Sequence, residues 1–259
     1  MSTRDDTLIR LRTILSRPDL RFPPPDPPRL TNRERMTVTQ ADGDRWDLAA
    51  RFGQELAALH GSWELVDSPA EGRLALIAHM KIWLDEEMAM RKTAAPPPGD
   101  INSVLCWAPH LLPIPELEPA LADTGFRLFE PKDLSDRTVR DQARSVRFGL
   151  SSVDAAFAAT GTVMVASGPG KSRSASLLPL RHIVLVPLSR LYPTAEAWLA
   201  ERRYVGDLLS FVRESANIAL ISGPSKSADI ESNLTLGVHG PKQVHAILFD
   251  DIEALVQGR

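Results

Sequence analysis

The chain has a single cysteine, Cys106, in 259 residues. That scarcity excludes an intrachain disulfide, a cysteine-held iron–sulfur cluster and a cysteine-type zinc site. Cys106 stands in the apolar run NSVLCWAP, where a buried packing thiol is expected. A surplus of positive charge is also missing. The net charge is −3, which argues against a chain specialised for nucleic acid or an anionic membrane. No apolar run approaches the roughly 20 residues of a membrane span. The N-terminal MSTRDDTLIR lacks the apolar core of a signal peptide, so the cytoplasm is the expected location.

What is present is ordinary globular composition, with 43% apolar residues, enough for one large core or two small ones. Residues 5–16 carry apolar side chains at helical spacing and predict a short amphipathic helix. Six prolines between 18 and 28 then forbid helix and ladder, giving an extended arm. The expected organisation is a helical and proline-rich N-terminal extension over 1–45 and an α/β domain over 46–259. In the latter, Leu48, Phe52, Leu56 and Leu59 share a helical face, and Leu74, Ile77, Lys81, Leu84 and Met88 align on a second helix.

Short runs rich in Val, Ile and Leu alternate with helical stretches from there to the C-terminus. The runs are SWELVD (62–67), NSVLCWA (102–108), FRLFEP (126–131), TVMVA (162–166), HIVLVP (182–187), IALI (218–221) and VHAILF (244–249). Helices are expected over 135–147, 152–159, 194–202, 205–215 and 228–235, with a last one in DDIEALVQ. This pattern predicts a mostly parallel sheet covered by helices on both faces.

Two of these strands end in nearly the same loop, SGPGKS (167–172) and SGPSKS (222–227). Ligands of open α/β sheets bind beyond the C-terminal strand ends, so both loops are expected to face one anion site there. Ser167, Gly168, Gly170, Lys171 and Ser172 form the first half; Gly223, Ser225 and Lys226 form the second. Glycine permits close backbone approach, hydroxyls donate hydrogen bonds and lysine meets negative charge. A P-loop is rejected: its first glycine would stand at 165, which is valine, and the second loop lacks the glycine before lysine. Asp229 and Glu231 open the helix expected after the second loop, as dipole partners or site carboxylates. His239, between two glycines, and His182, at the head of a strand, are further candidates. His60, His79 and His110 stand without a constellation and His245 reads as a strand residue; none is assigned, and no metal-ligating set is read. Arg137, Arg140, Arg144 and Arg147 form a positive stripe on one helix, read as a solvated face or as a dock for an acidic partner or anionic substrate.

Three motifs are familiar together: ATGTVMVASGPGKSRSASLLPLRHIVLVP (159–187), ISGPSKSADIESNLTLGVHGP (221–241) and the closing strand to FD. The stretch from Gly149 to Asp250 resembles the LUD-domain family, in its lactate-utilisation protein C branch. The resemblance implies a NagB/RpiA/CoA-transferase-like fold and a part in bacterial oxidation of L-lactate to pyruvate. It implies no cofactor in this chain and iron–sulfur clusters in two partner subunits. The family often carries glutamate before T-G-T; here that position is Ala159, while Thr160, Gly161 and Thr162 remain as candidate pocket wall. Two alternatives stay open: an independent enzyme acting on an acyl-CoA or sugar phosphate, and a regulatory module that binds an organic acid without converting it.

Overall fold

The computed structural model describes residues 3–16, 41–93, 99–228 and 234–252. The chain divides between Thr39 and Gln40, and each unit is described by itself. The first contains helix α1 (Thr3–Leu15), with Asp5 and Asp6 in its first turn, as the apolar spacing predicts. The proline arm lies outside the described residues.

The second unit is built on a six-stranded sheet. Its strands are β1 (Ser62–Val66), β2 (Asp100–Cys106), β3 (Arg127–Phe129), β4 (Val146–Ser152), β7 (Arg181–Pro187) and β12 (Gln243–Phe249). They lie in the order β1-β12-β7-β4-β2-β3, every neighbouring pair parallel. β7 and β12 are buried along nearly their whole length, and a strand covered on both faces has no polar side to alternate with.

Helix α2 (Arg45–Ala58) starts at a capping box, in which the Asp44 carboxylate accepts from Trp46 and Asp47 N–H while the Asp47 carboxylate accepts from the Asp44 N–H. Such a cap contributes about 1 kcal/mol. The expected face is the buried one: Leu48, Phe52 and Leu56 go into the core. Phe52 is fully buried, worth roughly 2–3 kcal/mol against an exposed ring. Gly53 lies where a Cβ would meet the Trp63 ring of β1.

Helix α3 (Pro69–Thr93) covers the other face, the side of β12 that carries His245. Its buried face differs from the expected one. Leu76, Met80, Trp83 and Glu87 are buried, while Leu74 and Met88 are exposed. The expected stripe lies one residue out of phase, about a quarter of a turn, because an exposed Leu or Met is common on a folded surface and does not mark the core. Short helices α4 (Leu117–Ala122) and α6 (Ser174–Leu177) complete the layers beside β3 and β4. Cys106 is wholly buried, and burial pushes its thiol up to about 12, as expected of an inert packing residue.

Four expectations are corrected. Residues 152–159 do not form a helix; they form β5 (Ala155–Phe157) and a 3₁₀ turn, because Ala155, Ala156 and Ala158 are packed shut between layers. The runs at 162–166 and 218–221 are not in the parallel sheet. They form β6 (Thr162–Ser167) and β9 (Asn217–Ile221) of a separate sheet, ordered β8-β5-β6-β9 with β8 at Leu191–Tyr192. There β6 runs antiparallel to both β5 and β9. Instead of a helix near 228, β10 (Lys226–Ala228) pairs antiparallel with β11 (Leu234–Leu236); the intervening residues are outside the described ones. Arg147 is not on helix α5 (Arg137–Ser145) but in β4, close to the buried Glu87. Helices α7 (Ala195–Val205) and α8 (Leu208–Glu214) pack Trp198 and Phe211 against the second sheet. The expected last helix falls almost wholly outside the described residues. No helix among them is long and apolar enough to cross a membrane.

Candidate functional site

The antiparallel β6–β9 register decides where the two echo loops go. Val163 faces Ile221 and Ser167 faces Asn217, so the loop after β6 and the loop after β9 leave opposite ends of the pair. The first loop meets the C-terminal rim of the parallel sheet, where Ala108, just past β2, donates its N–H to Gly170 O at 2.7 Å. The second meets the N-terminal rim. Ser225 N–H donates to Pro241 O at 2.8 Å, just before β12. The shared pocket expected from the echo is therefore not formed, and Lys171 and Lys226 belong to different rims.

At the C-terminal rim the first loop closes on itself. Gly168 and Lys171 exchange two backbone bonds around Gly170 at φ +71°. A Cβ at Gly170 would lie 2.8 Å from Leu111 and 3.1 Å from Ala108, so glycine permits this close approach. Lys171 Nζ lies 2.5 Å from Asp154 Oδ1 and 5.0 Å from the centroid of the Trp107 ring. The other oxygen of Asp154 accepts the Ala166 N–H at 2.7 Å. Asp154 follows β4, Trp107 follows β2, and Arg190 follows β7. All three stand past the C-terminal ends of parallel strands, the place where such sheets bind ligands.

Asp154, Lys171 and Arg190 border a cavity of about 340 Å³, between the ends of the parallel strands and helices α7 and α8. Lys171, Arg190, Tyr192 and Arg202 bring polar atoms to it, and Leu111, Trp198 and Phe211 bring apolar surface. A second cavity of about 190 Å³ shares Asp154, Lys171 and Phe211 and includes Ser167, Gly168 and Pro169. The cations differ in commitment. Lys171 is paired with Asp154, and Arg202 with Glu201 and Asp207. Arg190 donates to Val153 O at 2.6 Å and has no carboxylate within ion-pair distance among the described residues. The cavity thus contains one uncompensated guanidinium, whose fork geometry suits a carboxylate. Burial raises the Tyr192 phenol above its usual range, keeping it a neutral hydrogen-bond donor. Ser172 Oγ sits 2.6 Å from Ser174 Oγ at the start of α6.

The remaining candidates lie elsewhere. Thr160 and Thr162 form a hydroxyl chain that ends on Ser222 Oγ, 2.8 Å from Thr162, and Gly161 abuts the α2 backbone. Gly223 turns against Leu59, Gly240 lies near Ser225, and Lys226 and His239 are exposed at that same N-terminal rim. His182 is fully buried in the sheet, with Nε2 2.9 Å from Ser151 Oγ; burial lowers its imidazole to about 4. Asp229 and Glu231 lie outside the described residues. Arg190, Asp154 and Trp107 carry no motif that singles them out in the sequence. Each stands one to three residues past a strand end, and that position relative to β2, β4 and β7 is the signal that could have found them.

A doubly covered parallel sheet with a cleft at its C-terminal rim, walled by a smaller sheet, defines an α/β protein of the class whose sheets bind ligands at that rim. Residues 115–249 match the LUD domain. The chain is 30% identical over 210 residues to lactate utilization protein C of Shouchella clausii (strain KSM-K16), covering 81% of this chain and 82% of that relative. It is 40% identical over 132 residues to lactate utilization protein C of Halalkalibacterium halodurans, 49% of this chain and 56% of the relative. Against the protein of the same name from Exiguobacterium sp. the figures are 38% over 138 residues, 51% and 57%. In these last two the matched stretch spans just over half of the relative. A crystal structure of a DUF162 family protein from Deinococcus radiodurans aligns with 80% of this chain and 99% of its own, at TM-score 0.49 and 19% identity. The chain belongs to the LUD-domain family.

Proposed function

We propose that the protein works in bacterial L-lactate utilisation, as a subunit that carries no iron–sulfur cluster, and that its C-terminal-rim cleft binds a small organic carboxylate. The observation that carries the reading is the similarity to lactate utilization protein C across 81% of the chain. The cleft supports it through Arg190, which offers a carboxylate two parallel N–H bonds, beside the Lys171–Asp154 pair. Oxidation of L-lactate to pyruvate releases two electrons and two protons. In this reading the electrons pass to iron–sulfur clusters of two partner subunits, and the assembly is cytoplasmic.

The test has two arms. Affinity capture of the full chain from its bacterial host should retain cysteine-rich iron–sulfur proteins, and deletion should abolish growth on L-lactate. Failure to associate together with normal growth overturns the role. Calorimetry with L-lactate and pyruvate should show binding that Arg190→Gln weakens by about tenfold or more, the worth of one charge-assisted hydrogen bond. Unchanged binding in that variant removes the ligand from this cleft. Turnover by the isolated chain would make it an independent enzyme, and binding without turnover or a growth defect would make it a regulatory module.

A further inference from the structure

At the other side of the sheet, away from the cleft residues, two histidines and a carboxylate from three elements converge. His245 lies on β12, His79 on α3 and Glu64 on the edge strand β1. One donor atom from each falls within 4.8 Å of the others. The imidazoles are stacked, with centroids 3.5 Å apart and planes 10° from parallel. His245 Nε2 lies 3.3 Å from Glu64 Oε1, and its Nδ1 lies 2.8 Å from Ser62 Oγ. His79 Nε2 is buried with no hydrogen-bond partner.

We propose that Glu64, His79 and His245 form a binding site for a divalent metal of the zinc class. Two imidazole nitrogens and one carboxylate oxygen make a borderline donor set, matched to Zn²⁺ and Co²⁺ rather than to Mg²⁺ or Ca²⁺. Three protein ligands leave a fourth position for water, and Glu64, whose side chain is 39% exposed, opens the site to solvent. Ser62 supplies the outer support. Without metal, His245 Nε2–H donates to the Glu64 carboxylate; a metal would displace that proton, and Nδ1–H, donating to the Ser62 hydroxyl, would leave the Nε2 lone pair for the metal.

The surrounding charge favours a cation. Arg181 and Arg147 are balanced by Glu86 and Glu87, at N–O distances of 2.6 to 3.5 Å, which leaves the Glu64 carboxylate without an arginine or lysine of its own among these groups. Trp83 stands edge-on to His79, with centroids 4.6 Å apart, and holds the ring against β12. Tetrahedral bonds of about 2.1 Å place donors about 3.4 Å apart, a spacing that His245 and Glu64 already show at 3.3 Å. His79 is the ligand that moves. A metal lies in the plane of each ring it binds, so the parallel stack opens as His79 swings in, tying helix α3 to both strands.

The experiment uses the full chain, stripped with chelator and titrated with Co²⁺. One equivalent per chain should give the visible d–d absorption of a four- or five-coordinate site, bleached by one equivalent of Zn²⁺. His79→Ala and Glu64→Gln alter partly exposed side chains, and circular dichroism checks that they fold. Each should weaken Co²⁺ binding by about tenfold or more, and Ser62→Ala by about tenfold, as loss of outer support does. Zn²⁺ should raise the melting temperature of the wild type and leave that of His79→Ala unmoved. Absence of d–d absorption at stoichiometric Co²⁺ overturns the site. So does equal binding by the wild type, His79→Ala and Glu64→Gln, since the metal would then sit on other residues.

Discussion

The loops Ser167–Ser172 and Ser222–Ser227 share five of six residues, yet the fold uses them differently. In the first, Lys171 is drawn onto Asp154 and over Trp107, beside a cavity at the C-terminal rim. In the second, Lys226 is exposed at the N-terminal rim, and the loop's backbone bonds tie β9 and β10 to the chain entering β12. The difference follows from the antiparallel β6–β9 pairing, which sends equal sequences to opposite ends. The recurring hexapeptide does not recur as a turn: Gly168 and Lys171 pair around Gly170 at φ +71° in the first loop, whereas in the second the positive φ, +81°, is at Gly223.

Four substitutions probe that contrast. The largest effect is expected at Gly161→Ala, in the segment bonded to the second loop. Its φ is +58° and an added Cβ would lie 2.4 Å from Leu56 N, so backbone must shift. A loss of about 3–4 kcal/mol in urea unfolding is expected, combining strain and overpacking. Unchanged stability would break the reading of that rim as scaffold. Next comes His182, whose folded imidazole titrates at about 4 through burial, below its ordinary 6.5. The unfolded chain takes up the proton first as pH falls. The contribution is therefore complete above about pH 6.5 and lost on the way down to about 4, amounting to roughly 3 kcal/mol. His79, also lowered to about 4 by burial, shares that window, so His182→Gln should reduce the slope of stability against pH there, whereas an unchanged slope would assign it to other groups. Third, Asp154→Ala leaves the Ala166 N–H and the Lys171 ammonium unpaired. Because Lys171 is partly exposed, about 2 kcal/mol is expected rather than the full cost of a buried pair. Last, Lys226→Ala should change stability by less than about 0.5 kcal/mol, as exposed positions do. A loss equal to that of Asp154→Ala would erase the distinction between the loops.

Periodicity makes much of the fold legible. The strands at 62–66, 181–187 and 243–249 and the core face of α2 are where alternation and spacing put them. What is not legible depends on neighbours. Ala-rich 152–159 looks helical in isolation, but Ala155, Ala156 and Phe157 are held extended by pairing with β6 and β8 and are buried there. His79 is hidden in the sequence because an apolar stripe of α3 phased on Leu74 and Met88 follows residues that are exposed. The stripe through Leu76, Met80 and Trp83 puts His79 against β12 and beside His245. Arg190 and Asp154 belong to no local motif; they come to line one cavity only because β4 and β7 are neighbours in the sheet.

The sequence by itself determined the alternation of strands and helices, the parallel sheet sealed on both faces, and the exclusion of cysteine-bound clusters from this chain. Burial and backbone geometry act over a few residues, so they leave a local trace. The partition of strands between two sheets, the rims at which the echo loops end, and the meeting of Glu64 with His79 and His245 were decided by tertiary structure alone. Strand pairing joins residues as distant in the chain as Ser62 and His245, and its energy depends on both partners at once, so neither stretch carries the answer.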